Sequence, residues 1–103
     1  MSAMASHGKF WKPEGWLEAV FNEHVEPDSG VDSDPDYWDG KLYFLMRIKF
    51  GSVEIKPGDL PQAIVLASDV FAKVKDDEVR GCLMQIVDGM RLALAEGSVF
   101  DIG

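Results

Sequence analysis

Two runs of apolar residues at helical spacing, separated by a short polar turn, constrain the fold of this 103-residue chain more than any other feature. Leu60, Ile64, Ala67, Phe71 and Val74 recur at steps of four and three, and so do Val79, Leu83, Ile86, Met90, Ala93 and Gly97, with Cys82 and Val87 alongside. That spacing lines one face of an α-helix. Asp59, with Gln62 three residues later, has the form of a capping box. Asp76, Asp77 and Glu78 place acids where the positive end of a helix dipole favours them. Gly97 suits a left-handed C-terminal cap. Helices are therefore predicted over residues 60–75 and 77–96. Joined so closely, they should pack antiparallel and lay their stripes on a further layer.

The strongest candidate for that layer is residues 41–56. Leu42, Phe44, Met46, Ile48 and Phe50 alternate with Lys41, Tyr43, Leu45, Arg47 and Lys49, a strand pattern with an apolar inner face. Gly51-Ser52 fits a two-residue hairpin turn in which glycine takes the positive φ. Val53, Glu54 and Ile55 would then return opposite Phe50, Lys49 and Ile48, so that apolar meets apolar and acid meets base. A third strand is expected at residues 98–102, pairing with residues 41–45. Ahead of the hairpin, Trp16, Leu17, Val20, Phe21 and His24 form a helical stripe. With Pro13 suited to a first turn, this predicts a helix over residues 13–25. The fold class is α+β: an N-terminal helix, an antiparallel β-hairpin and an antiparallel helical hairpin. Residues 1–8 read as a flexible leader before a single globular domain over residues 9–103.

Charge is distributed unevenly. Of the formal net charge of −8, residues 13–40 contribute −9, from nine acids without a lysine or arginine; the rest carries nine acids and ten basic residues, or +1. A surface of this kind opposes direct binding of nucleic acid, which requires cations to displace counterions. It opposes adhesion to anionic membranes for the same reason. Cys82 is the only cysteine, so no intramolecular disulfide can form. The longest apolar run, residues 63–67, is far short of a membrane span. With no apolar core of a signal peptide at the start, these features place the chain in the cytoplasm.

Catalytic chemistry finds little to work with. A nucleophile–base pair would need Cys82 or a serine beside His7 or His24, the only two histidines. Cys82 borders an apolar stripe, where a free thiol is ordinarily inert. His24 ends a helix, where it more readily caps carbonyls, and His7 lies in the leader. No phosphate-binding loop, dinucleotide fingerprint or zinc pattern occurs, so no cofactor and no enzymatic activity are expected. Asp32, Asp34 and Asp36 imitate the start of a calcium-binding loop. Tyr37 then replaces the required glycine and Tyr43 the bidentate glutamate, so no metal site is assigned.

The acidic stretch is the candidate site. Glu23, Glu26, Asp28, Asp32, Asp34, Asp36 and Asp39 crowd together, and Tyr37 and Trp38 interrupt them as aromatic anchors do in protein interfaces. Glu23 and Glu26 also oppose the dipole at the end of the first helix. A solvated loop with no partner is the plain alternative, as is an acidic loop folded over Arg47 and Lys49. In size and charge alone the chain is similar to small acidic immunity or inhibitor proteins, which mask basic active sites. No motif ties it to a family. That likeness implies a non-enzymatic protein docking on a basic partner, such as a nuclease-type toxin or a nucleic-acid-binding protein. The competing expectations are a structural subunit, homodimeric through its helical hairpin or sheet edge, and a small-molecule or metal-dependent enzyme.

Overall fold

The computed structural model describes residues 2–25, 43–51 and 53–103. Among them the fold is α+β, with helices and two small antiparallel ribbons. The elements are β1 (Ser2–Met4), β2 (Trp11–Pro13), α1 (Trp16–Val20) running into a π-helical turn (Phe21–Val25), α2 (Tyr43–Lys49), β3 (Val53–Ile55), a 3-10 turn (Pro57–Asp59), α3 (Leu60–Ala72), α4 (Asp77–Glu96) and β4 (Phe100–Ile102).

The helical pair forms as its stripes dictate. Leu60, Ala63, Ala67, Val70 and Phe71 of α3 are buried, as are Leu83, Ile86, Val87, Met90 and Ala93 of α4. Val74, in the connection, is buried too. Asp76 caps α4, its side chain accepting the Val79 N–H at 3.0 Å. At the other end Gly97 takes φ 68°. Its N–H bonds Leu94 O at 3.1 Å and the Ser98 N–H bonds Ala93 O at 2.9 Å, the paired bonds of a Schellman motif. The capping box expected at Asp59 is absent. Asp59 closes the 3-10 turn with helical dihedrals, and its side chain makes no capping bond.

The predicted hairpin over residues 41–56 is overturned. Residues 43–49 are helical, with Leu45 and Ile48 fully buried and Phe44 and Met46 packed against the core. The strand reading put Leu45 on the outer face and Phe50 inside. Phe50 is instead 58% exposed. A run this short satisfies both periods, since residues 44, 45 and 48 also share a helical face, and tertiary packing selects the helix. Gly51 does adopt a positive φ, 64°, but as the end of α2, its N–H bonding Ile48 O at 2.9 Å. Val53–Ile55 is a strand as expected, yet its partner is β4, in the register Val53↔Ile102, Glu54↔Asp101 and Ile55↔Phe100. The strand expected at residues 98–102 is thus present, pairing with β3 rather than with residues 41–45.

Two corrections concern the N-terminal segment. The helix predicted from residue 13 starts at Trp16, because Pro13 ends β2 and Gly15, at φ 86°, turns the chain. Residues 2–8, read as a leader, are part of the fold. Ser2, Ala3 and Met4 pair with Pro13, Lys12 and Trp11. Ala5 is buried and bridges Ile102. The Ser6 N–H bonds Asp101 O at 2.8 Å and the Gly103 N–H bonds Met4 O at 3.2 Å, so the two ribbons join in the order β2-β1-β4-β3. The core connects all layers. Phe21 meets Phe71 edge-on at 5.9 Å and Phe10 tilts against Trp16 at 6.0 Å. Each buried aromatic of this kind contributes about 2 kcal/mol or more by removal from water.

Candidate functional site

Of the nine nominated site residues, Glu23 alone is among the described residues; Glu26, Asp28, Asp32, Asp34, Asp36, Tyr37, Trp38 and Asp39 lie outside them. Glu23 stands exposed on the π-helical turn, its Oε1 3.9 Å from His24 Nε2. Glu18, on α1, and Glu14, in the turn before it, are also exposed. The leading edge of the acidic stretch therefore presents three carboxylates to solvent.

Glu14 and Glu18 also border a cavity of about 240 Å³ between the start of α1, β1 and the end of α2. Leu17, Lys49 and Phe50 complete its chemically distinct walls. Lys49 Nζ lies 5.5 Å from the centroid of the Phe50 ring, a cation–π distance. The lining mixes two carboxylates, one ammonium and an aromatic face, and contains neither histidine nor cysteine. Such a composition can hold a charged side chain of either sign by ion pairing. It lacks the paired nucleophile and imidazole base of covalent catalysis.

A second cluster lies within residues 1–8, whose sequence alone suggests a leader. His7 bridges two elements: Nδ1 is 2.8 Å from Ser6 Oγ and Nε2 is 2.8 Å from Glu96 Oε2 at the end of α4. Ser6 Oγ in turn accepts the Asp101 N–H at 3.0 Å. The serine hydroxyl is thus already engaged on two sides, and none of these residues lines the cavity. The chain of bonds fastens the residue 5–10 strap to α4 and β4. Beneath it the strap crosses α4 at Gly89, where a Cβ would collide with the His7 carbonyl and come within 2.9 Å of the Phe100 ring. The one legible signal was that glycine: inside a helical pattern it often marks close packing.

The strands create a third arrangement that the sequence did not reveal. Met4 and Trp11 are direct cross-strand neighbours, 56% and 54% exposed. Glu54 and Asp101 are likewise directly opposite, both exposed. Like charges so placed repel. Neither carboxylate has an ion-pair partner among the described residues, and Lys56, two positions beyond Glu54, makes no ion pair with it.

The three named residues weighed for catalysis, Cys82, His7 and His24, are all half-buried. Among the described residues no three metal-ligating side chains converge, and no helix is long and apolar enough to cross a membrane. Comparison with protein-family models, curated proteins and solved structures finds no match to this chain.

Proposed function

We propose that this chain is a non-enzymatic acidic binding protein that docks on a basic surface of a protein partner, acting as an inhibitor in the manner of an immunity protein for a nuclease-type toxin. One observation carries the reading: residues 13–40 hold nine acids and no lysine or arginine, while the remainder is close to neutral. The cost of gathering like charges exceeds what solubility requires, and a cationic partner would recover it. The exposure of Glu14, Glu18 and Glu23 supports the same reading, since their carboxylates stand in solvent at the start of the stretch. Trp38 and Tyr37 are its proposed anchors, and the cytoplasm is its proposed compartment.

The experiment is a pull-down from native cell extract with the wild type and with an Asp32/Asp34/Asp36/Asp39→Asn variant. The expected result is a basic partner recovered by the wild type and lost by the variant. Its association rate should fall by tenfold or more between low and physiological salt, as for steered encounters. A partner held equally by both proteins, or associating at a salt-independent rate, overturns the reading.

A further inference from the structure

The outer face of the four-strand arrangement combines two features that a folded domain does not need. Alternate residues of a strand point to one side, and directly opposed residues share a side. Because Ala5 and Ile102 pair on the buried side, Met4, Ser6 and Asp101 face outward, with Trp11 opposite Met4 and Glu54 opposite Asp101. The Met4–Trp11 pair supplies apolar surface. Tryptophan leads the side chains that anchor interfaces, and methionine adapts its shape to what it meets. On β3 and β4 stand the two opposed carboxylates, neither ion-paired among the described residues.

We infer that this sheet face is a docking surface for a cationic segment of a partner protein, which sets an apolar side chain against Met4–Trp11 and an arginine between Glu54 and Asp101. The inference rests on the reading of the chain as a binder of basic partners and adds a surface outside the acidic stretch. Charge complementarity selects the occupant. A second copy of this chain would bring its own excess of acids, and an anionic membrane would be repelled. Cross-strand partners have Cβ atoms about 5 Å apart, a gap that a guanidinium can span while donating to both carboxylates. Strand spacing places Trp11 roughly 12 Å from Asp101, obtained from two interstrand steps and two residues of rise. On a helix that is about eight residues, so a single two-turn segment reaches both.

The test uses the full chain, labelled for amide NMR, and a synthetic amphipathic peptide carrying leucine and arginine about eight residues apart. Expected are shifts concentrated at residues 4–6, 11, 54 and 101. The Trp11→Ser variant and the Glu54→Gln/Asp101→Asn variant should each weaken binding about tenfold while remaining folded by their own spectra. A glutamate-for-arginine version of the peptide should not bind. Shifts confined to residues 26–39 overturn the surface and leave the acidic-stretch reading standing. No binding at all, or binding of both peptides alike, overturns the surface, and the pull-down then decides the parent reading alone. Self-association on sedimentation that disappears in Trp11→Ser overturns the choice of occupant.

Discussion

The strap that crosses α4 and the outer face of the sheet are built from neighbouring residues, yet they follow opposite rules. Under the strap the backbone of His7 and Gly8 lies directly on Gly89, and Ser6, His7, Glu96 and Asp101 satisfy one another. A few ångströms away, Glu54 and Asp101 repel across a strand pair, and Trp11 and Met4 remain half in water. The first region is optimised for holding the chain together. The second gives up stability that a simple exchange of charge would restore. The fold depends on the inner seam and tolerates the outer face.

Substitutions at glycines of α4 should break this contrast most forcefully. Gly89→Ala forces a methyl group into the His7 carbonyl, a backbone clash that no rotamer relieves. It should cost about 3 kcal/mol, lowering the melting temperature by roughly 10–20 °C. Gly81→Ala, in the same helix with open space around it, should instead stabilise by up to about 1 kcal/mol. Equal effects from the two would remove the seam as an explanation. Next in size, Asp76→Ala deletes the cap bond to the Val79 N–H and should cost about 1 kcal/mol in urea unfolding. Smallest is Glu54→Lys, which places opposite charges across β3 and β4. It should stabilise by about 0.5 kcal/mol at low salt, with the gain shrinking as salt is added. A destabilising Glu54→Lys would show that the outer face is already at its optimum.

The parts of this fold legible in the sequence are those decided locally. The α3–α4 pair declares itself through two long stripes, an aspartate cap and a glycine stop, each operating within a few residues. Residues 43–55 do not, because seven residues from Tyr43 to Lys49 are too few to separate a period of two from one near four. The decision passes to distant neighbours that need Leu45 buried. Strand β3 was found but not its partner, since pairing with β4 joins positions almost fifty residues apart. The N-terminal strand was missed because Ser2, Ala3 and Met4 carry no strand signature and are held by hydrogen bonds to residues 11–13 and 103. Of the candidate site, the charge segregation is legible. The opposition of Glu54 to Asp101 is not, for the expected register sets Glu54 against Lys49. A neutral pair was anticipated where the protein has a repulsive one.

The contact of Ser6 with Asp101 joins positions 95 residues apart. Closing a loop of that size costs about 4 kcal/mol of chain entropy, against little for the adjacent α3 and α4. Local contacts form early and distant ones late, so the helical pair is the expected nucleus and the sheet the final act of folding. The Met4–Trp11 pair is local, but it comes to lie beside Glu54 and Asp101 only when the chain ends meet. A partner that needs both halves of the face at once would therefore favour chains whose two ends have already met.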